Sequence, residues 1–345
     1  MPIILTILTI LTIIIIGLFL IITLILKKNT KKNAEYFNNK DTIVKTSTIV
    51  KTSTMVKIPK LIWLYWDTDI NDAPKIITYC IKIIKTLNKN YTINIVSRNN
   101  INEFVKCKKT LNHLNNPELS NIYKSDLIRL YLINIYGGIY LDSSIILFEN
   151  LDWIYNSNNS NSNNNNTNYD LIMYKATNWT TDNAKPVLET WFIAAKPNNI
   201  LIRETFKMFL DILDKYINID SEFEKLKNDK SIDYQKFGIH SKYHLTYFIF
   251  IYMQTKLNMN YLDNTQHNNL FLDCEWSEFP CNFLQDNHDE LKKLYTDTID
   301  DDKFNKYISK KMLKLTGANR KFIENEKLIP KINSFIDKLN KYIKL

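Results

Sequence analysis

The sequence predicts an α/β fold, a mostly parallel sheet flanked by helices. Three observations carry that reading. Short apolar runs alternate with longer helical patterns from residue 58 to about 200, the order that joins parallel strands through crossover helices. The stretch 120–136 is apolar nearly all round (Leu127, Ile128, Leu130, Leu132, Ile133, Ile135), so it reads as a core helix. It runs straight into Gly137-Gly138 and a short apolar strand ending in Asp142, and the carboxyl ends of strands are where ligands bind in open α/β sheets.

Taken in order, Ile58 to Trp66 reads as the first strand, opened by Pro59. Ala73-Pro74 starts a helix that runs to about Leu87; proline suits the first turn, where its missing N–H has no partner to lose. Tyr91–Val96 alternates and predicts a second strand, and Ile101–Lys108 predicts a helix. After the core helix, Gly137 is the expected left-handed stop, and Ile139–Leu141 and Ile145–Phe148 are strands. Residues 155–168 are almost pure Asn and Ser, a disordered insertion. Tyr169–Tyr174 and Trp191–Ala195 are further strands, and Ile200–Tyr216 and Lys242–Leu257 further helices. Residues 286–345 read as a charged, helical C-terminal extension.

Ahead of the predicted folded unit at 58–285 lie two other segments. Residues 3–26 carry no charge and are rich in Ile, Leu and Thr. At 1.5 Å per residue they reach roughly 36 Å, enough to span a bilayer, so residues 1–28 are expected to be a transmembrane anchor. Lys27, Lys28, Lys31 and Lys32 follow the span, which by the positive-inside rule favours a cytoplasmic domain; enzymes that work in a lumen need the opposite, and both orientations stay open. Residues 29–57 form a polar stalk with a short Ile-Val-Lys-Thr-Ser-Thr repeat.

The net charge of +9 does not point to nucleic acid. Residues 1–60 hold nine lysines against Glu35 and Asp41, which leaves only +2 on the remainder. A basic groove on the folded domain is therefore not expected. Four cysteines are too few for a disulfide framework in 345 residues, although Cys274 and Cys281 are close enough in sequence to pair in an oxidising compartment.

The chemistry gathers around residues 125–144. Asp126 and Arg129 are three apart and share a face of the core helix. A charge pair there is costly unless partners or a ligand satisfy it. One helix later, Asp142 closes a buried strand. A guanidinium and a carboxylate so placed suit a charged, phosphate-linked sugar.

These residues resemble the capsular-polysaccharide-synthesis type of glycosyltransferase, related to the family 32 sugar transferases and more remotely to glucosylating bacterial toxins. The resemblance rests on Ile58-Pro59-Lys60-Leu61-Ile62-Trp63-Leu64-Tyr65-Trp66-Asp67, Ala73-Pro74, Ser125-Asp126-Leu127-Ile128-Arg129, Tyr136-Gly137-Gly138-Ile139-Tyr140-Leu141-Asp142 and Glu189-Thr190-Trp191-Phe192-Ile193-Ala194-Ala195, with a looser match at Lys314-Leu315-Thr316. It implies a GT-A nucleotide-sugar-binding fold and a nucleotide-sugar donor. It also implies that Trp66 stacks on the donor base, that Asp126 and Arg129 hold ribose, sugar or phosphate, and that Asp142 opens an Asp-x-Asp motif with Mn²⁺ or Mg²⁺ offsetting the diphosphate charge.

Here the motif reads Asp142-Ser143-Ser144, with Ser144 in place of the second acid, so a further metal ligand is sought in the C-terminal half. His240, His244 and Asp273 are candidates, and Glu189 is a candidate acid or base on the acceptor side. Trp63 and Tyr65 are expected to pack within the sheet. The implied function is a membrane-anchored transferase moving a hexose to a glycan, lipid or protein hydroxyl with retention at the anomeric carbon. The alternative is a degenerate GT-A domain that binds a glycan or partner without turnover.

Overall fold

The computed structural model describes residues 57–155, 169–215, 219–229, 244–260, 268–274 and 287–345. The expected anchor, stalk residues 29–56, insertion residues 156–168, His240 and Cys281 lie outside the described residues. Among the described residues, no helix is long and apolar enough to cross a membrane.

In chain order the elements are β1 (Leu61–Tyr65), α1 (Lys75–Leu87), β2 (Thr92–Val96), α2 (Ile101–Phe104), α3 (Lys108–Leu114), α4 (Asn121–Tyr136), β3 (Gly138–Asp142), β4 (Ile145–Leu147), β5 (Leu171–Ala176), β6 (Leu188–Ala195), α5 (Ile200–Asp214), α6 (Ile219–Lys227), α7 (Leu245–Lys256), β7 (Asn269–Cys274), α8 (His288–Thr296), α9 (Asp301–Ile308), β8 (Met312–Lys314), α10 (Gly317–Asn325) and α11 (Phe335–Tyr342). The main sheet has the order β2-β1-β3-β6-β5-β7, and β4 pairs with β8 in a small second sheet. β1 runs parallel to β2 and β3, and β5 parallel to β7, while β6 is antiparallel to both of its neighbours. The mixed, mostly parallel architecture expected from the sequence is therefore present.

Strand alternation sorts the apolar side chains onto two faces. Trp63, Tyr65 and Tyr140 join one core with Leu127 and Leu130 of α4 and residues of α5 and α7. Ile62, Leu64, Ile139 and Leu141 join the other, with α1 and with Leu291, Phe304, Phe335 and Leu339 from the C-terminal helices. The segment expected as a helical extension thus completes this second core, and Met55–Leu345 forms one compact unit. It is not helical throughout. β8 interrupts it, and Pro330 and Asn333 (φ +61°) confine the last helix to Phe335–Tyr342.

The helix expected over 101–108 is likewise two short ones. Val105 and Cys107 are extended between them, and the Lys106 N–H donates to the Tyr131 hydroxyl at 3.0 Å instead of continuing a helical ladder. Trp63 packs on Phe104 and Tyr136 and donates its indole N–H to the Gly137 carbonyl, as sheet packing requires.

Ser120 caps α4 by accepting from the Tyr123 N–H. At the other end Gly137 has the expected positive φ (+65°), but its ψ of −159° sends the chain directly into β3. Gly138 also has positive φ, and a Cβ there would lie 2.4 Å from the Leu61 carbonyl oxygen. Only glycine lets β3 approach β1 this closely.

Candidate active site at the carboxyl end of the sheet

β1 lies between β2 and β3, so the chain leaves β1 in one direction for β2 and returns on the other side for β3. Such a reversal opens a crevice beyond the carboxyl ends of the strands. A cleft of about 890 Å³ occupies that place. Trp66 and Asp67 enter it just after β1, Asp142 to Ser144 just after β3, and Ser125, Asp126 and Arg129 from α4. The opposite wall brings Glu189, Thr190 and Trp191 of β6, Tyr247 of α7, Lys314, and Thr316 to Ala318 at the start of α10. β6 is irregular here. Its pairing with β5 jumps from Ile193 to Glu189, leaving Thr190 to Phe192 out of register, a device that re-aims side chains beside sites.

Arg129 is the hub. Its Nε donates to the Ser125 carbonyl (3.2 Å) and its Nη2 to the Ser125 hydroxyl (2.7 Å) and Asp142 Oδ1 (3.3 Å). Its Nη1 donates to the Thr190 hydroxyl and lies 3.2 Å from Asp126 Oδ1. Four of the five guanidinium N–H groups therefore have hydrogen-bond acceptors, and Asp126 adds an ion pair. Asp126 is equally settled, because its Oδ2 accepts from the Thr246 hydroxyl at 2.6 Å. Burial raises the Asp126 pKa against the pull of Arg129 and Thr246. The predicted pair is thus a built scaffold that places a fixed positive charge beside Asp142.

Asp142 differs. Burial works against its carboxylate, but Lys314 and Arg129 outweigh it and hold the carboxyl below its usual range. Lys314 Nζ lies 2.6 Å from Asp142 Oδ2 and 2.8 Å from Ser144 Oγ. Burial, with Arg320 and Arg129 close by, leaves the Lys314 pKa below its ordinary value against the opposing pull of Asp142. The lysine is fixed by the small sheet, where it pairs with Ile145. The Leu315 N–H donates to the Ser144 carbonyl, and the Ser144 hydroxyl donates to the Leu315 carbonyl, both at 3.0 Å.

Glu189 is buried and accepts from the Tyr247 hydroxyl at 2.7 Å. Burial pushes its carboxyl up to about 7, opposed by that hydrogen bond. His244 lines the cleft in edge contact with Trp179, and burial lowers it to about 4, so it is neutral at pH 7. Trp66 is half-buried on the cleft wall, with the Arg320 guanidinium 5.9 Å from its ring. Asp273 is not among the residues lining the cleft: it is exposed at the end of β7 and paired with Lys175.

A divalent cation at Asp142 and Ser144 was the sequence expectation, and the donor set does not fit it. Such a cation needs several oxygen ligands, at about 2.0–2.1 Å for Mg²⁺. Both Asp142 oxygens already face cations, and an ammonium stands between Asp142 and Ser144. Among the described residues no group of three or more His, Cys, Asp or Glu is placed to hold a metal.

Asp126, Arg129, Asp142, Ser144 and Trp66, the residues expected from the sequence, all line one cleft. Lys314, Thr246, Tyr247 and Arg320 join them without a role predicted from sequence. The Lys314-Leu315-Thr316 string was the one available signal, sitting just ahead of the Thr316/Asn319 capping box that opens α10.

A cleft at a strand-order reversal, lined by an aromatic and fixed cations, is where an open α/β sheet takes its ligand. The chain belongs to the capsular polysaccharide synthesis protein family, whose model matches residues 19–288. That stretch holds Asp126, Arg129 and Asp142 and stops short of Lys314. The chain is 26% identical over 105 residues to "Glycosyltransferase afumC" of Aspergillus fumigatus, an alignment covering 26% of this chain and 26% of that protein. Among solved structures it is similar to "PaToxG Glycosyltransferase", with a TM-score of 0.37 and 13% identity over 59% of this chain and 70% of the other.

Proposed function

We propose that this protein is a GT-A-type glycosyltransferase, anchored to a membrane by residues 3–26, that moves a hexose from a nucleotide diphosphate sugar to a hydroxyl of a glycan, lipid or protein. The observation that carries the reading is the cation cluster at the cleft floor. Arg129 and Lys314 converge on Asp142 within 3.3 Å and 2.6 Å, and Trp66 and Arg320 border the same cleft. Fixed positive charge in a partly desolvated site is what a departing diphosphate requires, and an aromatic face beside it suits a base.

In the reaction, the bond from sugar C1 to the diphosphate oxygen breaks and its electron pair leaves on the diphosphate. The acceptor oxygen bonds to C1, and its proton passes to the departing diphosphate. This same-face route retains the anomeric configuration. Two features support it over a covalent intermediate: both Asp142 oxygens are engaged by cations, and Glu189 is tied to Tyr247. Neither carboxylate is presented as a free nucleophile. Glu189, with Tyr247, His244 and Trp179, lines the other side of the cleft, where it orients an acceptor hydroxyl.

Thermal stabilisation of the full-length chain in detergent by a panel of UDP- and GDP-sugars tests the reading. The expected result is a rise in Tm with one nucleotide class, lost in Asp142→Ala. No rise with any of them contradicts it.

A further inference from the structure

We infer that Lys314 stands in for the divalent cation, and that this protein grips the donor diphosphate with its own ammonium group and transfers sugar without a metal ion. The inference rests on the donor reading above and concerns how that same site is charged.

Four observations support it. The first is position. Lys314 Nζ bridges Asp142 Oδ2 at 2.6 Å and Ser144 Oγ at 2.8 Å, the first and third positions of the Asp142-Ser143-Ser144 string. The second is chemistry. A serine hydroxyl is a weak ligand for Mg²⁺ or Mn²⁺ but a good acceptor for an ammonium. The residue that spoils a metal site therefore completes a lysine site. An ammonium has three N–H groups. Two meet Asp142 and Ser144, and the third meets no described residue and is available to a phosphate oxygen.

The third is placement by the fold. Lys314 is the last residue of β8, held opposite Ile145, and two backbone-to-Ser144 hydrogen bonds lock Leu315 beside it. The lysine is buried at 8% exposure, so its ammonium has little freedom to swing away and admit a metal. The fourth is charge. Three cations, Arg129, Lys314 and Arg320, border the cleft floor around Asp142, and the neighbouring Asp126 is already paired with Arg129. A dication added there is repelled, whereas a diphosphate is attracted. The first turn of α10 opens onto the same place through Gly317 and Ala318, and a helix N-terminus adds favourable backbone dipole for an anion.

During transfer Lys314 keeps its proton. It donates a hydrogen bond to the diphosphate oxygen that receives the C1–O electron pair, and its charge replaces the Lewis acid.

The test is direct binding of UDP and GDP by the full-length chain in detergent, by calorimetry, with EDTA and separately with Mn²⁺. The expected result is that one nucleotide binds in EDTA with a Kd within about twofold of its value in Mn²⁺. Lys314→Met then weakens binding in EDTA by about tenfold or more, the loss of one charge-assisted hydrogen bond, and Lys314→Arg keeps most of it. Binding that needs Mn²⁺ overturns the inference and leaves the donor reading standing. Wild-type affinity in a folded Lys314→Met overturns it too. No binding of either nucleotide under either condition overturns both. The wild-type comparison decides the question even if a variant fails to fold.

Discussion

Asp126 Oδ1 and Arg129 Nη1 lie 3.2 Å apart on one face of α4, both buried, and Thr246 closes the remaining Asp126 oxygen from a helix 120 residues away. The pair sets the direction in which Arg129 points at Asp142. Asp126→Asn keeps the shape and removes the charge, leaving a buried guanidinium short of one counter-charge. Breaking a buried pair from one side costs on the order of 3 kcal/mol. Urea unfolding should show that loss, and turnover should fall about 100-fold. A stability change under about 0.5 kcal/mol, within the range of ordinary surface substitutions, contradicts the assignment.

Trp66 acts on binding and not on the reacting bond. Base–aromatic stacking is worth about 1–3 kcal/mol, so Trp66→Ala should raise the donor KM about tenfold and leave kcat within about twofold. Trp66→Phe should recover most of the affinity. A fall in kcat at unchanged KM places the base elsewhere.

Gly138 joins fold to site. Its φ is +93°, and an added Cβ would meet the Leu61 carbonyl oxygen at 2.4 Å. Gly138→Ala should destabilise the protein by about 2–3 kcal/mol, and, by pushing β3 away from β1, move Asp142 off the cation cluster. Denaturation midpoints and donor affinity should fall together; loss of stability with intact affinity shows that the strand spacing does not position Asp142.

These residues also show what was legible in the chain. The continuous apolar pattern of 120–136, Gly137-Gly138 and the short run to Asp142 are local signals, and each element fell within a residue or two of its place. The partners of the site were not legible. Lys314 reaches Asp142 across 172 residues and Thr246 reaches Asp126 across 120, contacts made by tertiary pairing that no local pattern encodes. β8 is only three residues long, too short for an alternating pattern to register, and its charged surroundings read as helix. The break at Val105 was hidden for the same reason, because the Tyr131 hydroxyl that accepts from Lys106 comes from another helix.

Glu189 predicts a pH dependence. Burial raises its carboxyl from the ordinary 4.5 to about 7, so the folded state binds this proton more tightly than the unfolded chain. Its contribution to stability is complete below about pH 4.5 and is lost as pH rises through about 7, a total on the order of 3 kcal/mol. Glu189→Gln keeps an acceptor for Tyr247 and removes that slope. Unfolding free energies at pH 5 and pH 8 should therefore favour the variant over wild type progressively with pH. Parallel curves for the two proteins contradict the assignment.

The central claim is donor chemistry at the Arg129–Asp142–Lys314 cluster. It is tested most directly by nucleoside diphosphate release from a panel of UDP- and GDP-hexoses by the full-length chain in detergent, wild type beside Arg129→Met. The account predicts release from one nucleotide class by wild type and a fall of about 100-fold or more in the variant. Release from none of them, or equal release by both proteins, contradicts it.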